Sequence, residues 1–221
     1  MPSVCNRKLI SLQNFKKDNF KSSLRIRIKI KKNNRIIGYL VPIGSWILEK
    51  RNYYKKIFIW RKKNINFFFD KNKITLNSTL SYLANCSISD SSRILFLIYT
   101  NKNNLIGNVG ISNYKNGRCE LDNLARGVPG GDKELIFNSE KTILRWSFNF
   151  LRCKSIMGQV RSDNYIMLDM HKKIGFKIIK TSFLKYFKTN KNRFIYKFVP
   201  KNKSNILYQH LTIKLNKKNF I

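Results

Sequence analysis

Three apolar runs separated by two short polar turns constrain this chain more than any other feature. "RILFLIYT" (Arg93 to Thr100), the turn "NKNN", "LIGNVGIS" (Leu105 to Ser112), the turn "YKNG" and a third run from Arg118 to Ala125 read as antiparallel strands in series, a meander. A Gly/Pro loop, "RGVPGGDKE", follows the third strand. It leads into an amphipathic stretch, Asp132 to Leu151, where Ile136, Ile143 and Phe150 recur by sevens and Asp132 is a natural N-cap.

Upstream, residues 1 to about 34 are basic and irregular, an N-terminal extension in which only "LRIRIKI" (Leu24 to Ile30) alternates like an edge strand. Ile36 to Ile43 read as a short strand stopped near Pro42 and Gly44. From Ser45 to Lys63, Trp46, Tyr53, Ile57 and Trp60 share one face of a helix, and a second helical segment is expected near Thr75 to Asn85. Downstream, "SIMGQV" (Ser155 to Val160) is a strand and "SDN" (162 to 164) caps a helix that ends at Gly175, with Lys172 and Lys173 in its last turn. "FKIIKTSFLKYF" and "NRFIYKFVP" complete the set as two final strands, and residues 201–221 read as a basic tail. The predicted fold class is a mixed α/β domain over 35–200, an antiparallel half followed by a βαβ half. Its sheet must splay or switch near the point where the halves meet.

Forty-five Lys and Arg stand against eleven acids, a formal charge of +34. Such a surface attracts polyanions: RNA, DNA, anionic lipid or phosphorylated small molecules. Base composition that favours Lys, Asn and Ile is a competing account of that charge. Cys5, Cys86, Cys119 and Cys153 form no CxxC pair, so neither a zinc knuckle nor a disulfide framework is expected, and a reducing cytoplasm fits best. The longest uncharged run, Ile36 to Leu48, is too short for a bilayer span, which takes about twenty residues. The first residues are polar and basic, without the apolar region of a signal peptide.

Four of the eleven acids gather at the junction of the two halves: Glu120, Asp122, Asp132 and Glu134. Alternation along a strand puts Glu120 and Asp122 on one face, with Leu121 and Asn123 opposite. Two partly desolvated carboxylates disfavour joint ionisation, and a carboxylate tuned upward is a useful general base; the competing reading is simple pairing with Lys or Arg. The loop is an anion cradle by position, since glycine lets a phosphate approach backbone N–H groups at a helix start. The same loop also reads as ordinary punctuation, and Asp132 would repel an anion unless turned aside. Asn164 could cap the last helix. His171, seven residues on and on the same face, is a proton donor or acceptor near neutral pH, with a capping or solvated role as the alternative.

These words, "ELDNLARG", "VPGGDKEL" and "VRSDN" followed by His171 and "KKIGF", resemble the GCN5-related N-acetyltransferase (GNAT) superfamily over roughly residues 35 to 200. Members carry an Asn at the start of the second helix and usually a Tyr seven residues later; here that slot holds His171. Their pyrophosphate loop reads [QR]-x-x-G-x-[GA], whereas here Arg126 is followed by three residues and then Gly130 and Gly131, one residue longer. "IWRKKN", "ITLNSTLSYL" and "CELDNLARG" look more loosely like members acting on amino-sugar nucleotides or protein amines.

The resemblance implies transfer of acetyl from acetyl-CoA to a primary amine by direct attack in a ternary complex, without a metal. Pantetheine would lie along the splayed edge, on backbone at Leu124 and Arg126, and the diphosphate on amides of Gly127, Gly130, Gly131 and Lys133. Glu120, or second Asp122, would take the amine proton; Asn164 would touch pantetheine; His171 would protonate the thiolate. The acceptor pocket would be built near Trp60 to Leu83 and Phe183 to Arg193. Three classes follow: an acetyltransferase on an amino-sugar nucleotide, one acting on a protein or ribosomal amine, and a non-catalytic basic protein that binds nucleic acid on a degenerate core.

Overall fold

The computed structural model describes residues 11–190 and 193–220. Its nine strands are β1 (Ile28–Lys32), β2 (Arg35–Pro42), β3 (Ile94–Thr100), β4 (Leu105–Lys115), β5 (Arg118–Arg126), β6 (Ser155–Arg161), β7 (Lys177–Lys188), β8 (Phe194–Val199) and β9 (His210–Asn216). They lie in the order β1-β2-β3-β4-β5-β6-β9-β7-β8. The helices are α1 (Phe20–Arg25), α2 (Trp46–Glu49), α3 (Arg51–Lys63), α4 (Leu76–Ser81), α5 (Leu135–Asn149) and α6 (Tyr165–Ile174).

β3 explains why "RILFLIYT" is apolar throughout instead of alternating: all seven residues of the strand are buried, because helices cover both faces of the sheet there. Ile94, Phe96 and Ile98 face one side and join Leu135, Ile143, Leu144 and Phe148 of α5. Leu95, Leu97 and Tyr99 face the other and join Trp46 and Ile47 of α2, Ile57 and Trp60 of α3, and Leu83. Each such side chain, fully buried, stabilises the fold by about 1.5–3 kcal/mol relative to exposure. The meander therefore forms the wall between two cores.

The expected splay is present, and its register is specific. β5 and β6 pair in parallel only from Arg118 to Glu120 against Ser155 to Met157. Beyond Glu120 the two strands have no mutual register, so the chain between Leu121 and Arg126 presents an unpaired edge toward β6. β6 instead pairs along its whole length with β9, from Ser155↔Asn216 to Arg161↔His210.

β9 corrects the sequence reading most plainly. Residues after Pro200, expected to be a tail, supply a strand between β6 and β7, and Leu211, Ile213 and Leu215 bury into the α5-side core. The run "NRFIYKFVP" forms β8, which pairs only with the second half of β7. The N-terminal residues are also more ordered than expected: β1 is an edge strand against β2, and α1 precedes it with Asn19 as its N-cap. Residues 1–10, including Cys5, lie outside the described residues. The helix read over Ser45 to Lys63 breaks at Lys50, and that read over Thr75 to Asn85 starts with a Thr75/Ser78 capping box and widens into a π-helical segment, Tyr82–Ile88. Among the described residues no helix is long and apolar enough to cross a membrane.

Candidate active site

The gap between β5 and β6 has a local cause. Asn123 adopts a left-handed backbone, φ +51°, and β5 pairs with β4 through Gly110↔Asp122 and then Asn108↔Ala125, so two residues, Asn123 and Leu124, stand opposite Val109 alone. This is a β-bulge, and asparagine tolerates the left-handed region better than most residues. The bulge resets the alternation. Cys119 and Leu121 pack on the α5-side core, and so does Leu124. Asn123, expected on the face opposite Asp122, instead turns to the same side and donates its amide to Tyr82 Oη at 2.7 Å.

That side holds a polar cluster. Arg93 Nη1 lies 2.5 Å from Asp122 Oδ2, and also contacts Tyr82 Oη at 3.4 Å. Burial, then the Asp122 charge, pushes the Tyr82 phenol up to about 12, so it stays protonated. The Arg61 guanidinium stacks over the Tyr82 ring at 4.4 Å, and its Nε and Nη1 are buried with no hydrogen-bond partner among the described residues. Asp122 is thus paired with Arg93. Glu120, half-buried on the same face, makes no side-chain hydrogen bond or ion pair among the described residues. The sequence left pairing and catalysis open for both carboxylates; the structure gives pairing to Asp122 and leaves Glu120 free.

The loop after β5 is folded back on its own strand. Gly127 and Val128 donate their N–H groups to the Ile106 carbonyl at 2.7 and 3.2 Å. Gly127, expected to offer its amide to a diphosphate, gives that N–H to the Ile106 carbonyl instead. A β-carbon at Gly127 would lie about 2.0 Å from the Trp60 indole, so close packing accounts for that glycine. Arg126 closes the loop with its side chain, donating to the carbonyls of Gly130 at 2.9 Å and Val128 at 3.3 Å. Gly130 and Gly131 have φ of +132° and +71°. Their amides, and that of Lys133, make no hydrogen bond to another described residue.

Asp132 does not cap α5 as its N-cap residue; the helix begins at Leu135, with Glu134 at the cap position. The Asp132 carboxylate accepts from the Glu134 amide at 2.8 Å and sits 3.4 Å from Lys32 Nζ, which also binds Glu134 at 2.9 Å. The amide bond first, and Lys32 second, hold its pKa below the ordinary carboxylate range. An open pocket of about 420 Å3 lies beside Gly131 and Asp132, with Thr100, Asn101, Lys102 and Asn104 on its other wall.

His171 lies on the other side of the sheet from Glu120. It is buried on α6, its Nδ1 2.7 Å from Oε1 of the fully buried Glu140 on α5, its ring against Phe176. Glu140 Oε2 has no partner among the described residues. Asn164 caps α6, accepting from Met167 N at 3.4 Å, and Gly175 ends that helix in the left-handed region, both as the sequence indicated. Sequence reasoning missed Arg61, Tyr82, Arg93 and Glu140, whose meaning depends on contacts between distant segments.

Two segments expected near an acceptor do come together at the open end of the gap. Tyr186 of β7 donates to the Phe69 carbonyl at 2.7 Å, and Phe194 N donates to Asn72 Oδ1 at 2.9 Å. Arg161, at the end of β6, reaches the Asn66 carbonyl and forms a two-pronged pair with Asp163, its guanidinium 3.4 Å from the Tyr208 ring centroid. A larger open pocket of about 630 Å3, around Arg152, Cys153 and Lys154, lies at the paired ends of β5 and β6, away from the gap. Cys119 and Cys153 are buried thiols with sulfurs 3.5 Å apart, a proximity their sequence spacing hides. Among the described residues no group of His, Cys, Asp or Glu could hold a metal ion.

No family model matches the sequence, and no curated protein sequence matches it. Solved structures do. A probable GNAT-family acetyltransferase from Chromobacterium violaceum superposes with a TM-score of 0.61 at 10% identity, over 86% of this chain and 87% of that one. The spermidine N-acetyltransferase from Vibrio cholerae in complex with CoA and spermine gives 0.58 at 17% identity, over 81% and 95%. FdhC, a nucleotide-linked sugar GNAT, gives 0.57 at 14%, over 88% and 93%. The fold is therefore that of the GNAT acetyltransferases.

Proposed function

We propose that this chain is an N-acetyltransferase that moves acetyl from acetyl-CoA to a primary amine, and that the amine belongs to an amino-sugar nucleotide. The observation that carries the reading is the gap itself: β5 and β6 separate after Glu120, beside a bulge at Asn123, and the freed edge runs into a glycine loop and a helix start. An extended amide-bearing arm such as pantetheine adds to an unpaired strand edge through backbone hydrogen bonds, here at Leu124 and Arg126. The free amides of Gly130, Gly131 and Lys133 then receive the diphosphate, and Asp132, drawn aside by Lys32 and the Glu134 amide, is kept from opposing it.

The faces of the sheet divide the proton chemistry. Glu120, from the α3 side, takes a proton from the ammonium or attacking amine. The amine nitrogen bonds to the thioester carbonyl carbon, the carbon–sulfur bond breaks, and the sulfur leaves with the electron pair. His171, from the α5 side and oriented by Glu140, returns a proton to that thiolate. Glu140 is a positioning residue in this scheme. Each proton transfer is worth roughly 100- to 10,000-fold in rate.

An anionic acceptor is supported by the charge of +34 and by Arg61, whose two unpartnered donors lie in the cluster beside Asp122 and Asn123. A polyamine, being a polycation, is repelled by the same charge. The test is release of CoA thiol from acetyl-CoA with a uridine-diphosphate amino sugar, the same amino sugar without its nucleotide, spermidine, and a lysine-rich peptide. Turnover that requires the nucleotide is expected; faster turnover of spermidine or the peptide overturns the acceptor assignment.

A further inference from the structure

We infer that the β7–β8 hairpin, whose Tyr186 and Phe194 also touch the segment expected near the acceptor, is a binding surface for single-stranded nucleic acid. β8 is unusual as a strand: its sequence Phe-Ile-Tyr-Lys-Phe-Val is largely aromatic and aliphatic, yet its first five side chains are exposed. Phe198 keeps 56% of its surface accessible, and Phe187 on β7 is exposed as well. Apolar side chains on a strand ordinarily pack on a core; here one face is only partly covered, by Phe69 against Tyr196 and His210 against Phe198, and the rings stay open to solvent.

The charges are arranged around the rings. Lys185 and Lys197 stand directly opposite each other in the hairpin register, where like charges are destabilising. Both ammonium groups lie 5.7 Å from the centre of the Phe187 ring, and Lys180 lies 5.8 Å from that of Phe198. No Asp or Glu follows Asp169 in the sequence, so the hairpin has no acid of its own to neutralise them. An outside polyanion relieves that repulsion.

The choice of polyanion follows from the geometry. A second copy of this chain would bring another acid-free hairpin, and the charges would repel. A membrane needs one continuous apolar face, whereas Phe187 and Ile195 project from one face of the hairpin and Tyr196 and Phe198 from the other. A flexible single strand can follow both, stacking bases on Phe187 and Phe198 and setting phosphates on Lys180, Lys185 and Lys197, the combination of flat ring and cation that single-strand binders use.

The experiment is fluorescence anisotropy of a labelled oligouridylate of about a dozen nucleotides at several salt concentrations. Phe187→Ala with Phe198→Ala should weaken binding about tenfold or more with the salt slope unchanged. Lys185→Gln with Lys197→Gln should flatten the slope by about 0.7 for each phosphate that is no longer neutralised. Lys55→Gln with Lys56→Gln, on α3, removes the same charge elsewhere and is the control. Hairpin variants that bind no worse than this control overturn the proposal, as does capture of the protein by phosphatidylserine vesicles without oligonucleotide binding. Acetyl transfer is read separately in each variant, and its loss or absence does not bear on this surface.

Discussion

Arg93 Nη1 and Asp122 Oδ2 meet at 2.5 Å, and this ion pair separates two carboxylates that the strand sequence makes look equivalent. Asp122 is tied into the Arg93–Tyr82–Asn123 cluster, while Glu120 is left without a side-chain partner among the described residues. Glu120→Gln should therefore lower kcat by about 100- to 10,000-fold with the melting temperature nearly unchanged. Asp122→Asn should act the other way round. It leaves Arg93 with only the more distant Asp90 carboxylate, at 3.8 Å, costs roughly 1–3 kcal/mol of stability, and reduces turnover through the displaced bulge. Steady-state rates beside melting curves for both variants check the division; equal turnover of Glu120→Gln and wild type removes Glu120 from the role of base.

His171 and Glu140 form a buried pair with different parts in the proposed transfer. His171→Phe should slow turnover and flatten the pH–rate profile, because the acid is gone. Glu140→Gln preserves the hydrogen bond while removing the charge, so it should shift the profile with less loss of rate. Identical profiles in all three proteins would make the pair a structural one.

Lys32 reaches from β1 to Asp132 and Glu134 at the start of α5. Exposed pairs contribute little to stability. Lys32→Met should leave the melting temperature almost unchanged yet weaken CoA binding a few-fold, since Asp132 is then freer to face the diphosphate. Adding Asp132→Asn should restore the affinity. Titration calorimetry of the single and double variants decides this.

His210 is buried between Phe69, at 4.5 Å, and Phe198, at 5.1 Å, and its Nδ1 has no hydrogen-bond partner among the described residues. Desolvation first, and the Lys180 charge to a lesser degree, lower its pKa. The unfolded chain therefore binds a proton at this site more readily than the folded one. The folded state is favoured above the ordinary histidine pKa of about 6.5, and that advantage is lost as pH falls below it. Melting temperature should drop between about pH 7.5 and 5.5, and His210→Phe should drop less; parallel pH curves would contradict this.

Much of the fold could be read from the chain because its strongest patterns are local. The meander turns, the seven-residue spacing in α5, and Asn164 and Gly175 at the ends of α6 each involve neighbours in sequence, and the splay followed from joining an antiparallel half to a βαβ half. β9 was legible too, since Leu211, Ile213 and Leu215 alternate, but the surrounding lysines made "HLTIKLN" look like a tail. The bulge at Asn123 left no such trace: a left-handed asparagine inside a strand is spelled like any other asparagine. Arg93 with Asp122, Glu140 with His171, and Gly127 against Trp60 are partnerships across 29, 31 and 67 positions, and periodicity carries no information about them.

The central claim, that the gap and the glycine loop form a CoA site, is tested most directly by melting curves with CoA, acetyl-CoA and ATP at low and high salt. A ligand at a hundred times its Kd stabilises the folded state by about 2.7 kcal/mol, enough to read as a shift of several degrees. Stabilisation by CoA and acetyl-CoA that exceeds that by ATP and persists at high salt is the predicted result. An equal response to all three that vanishes with salt would mean that the positive surface collects anions without recognising CoA, and would contradict the account.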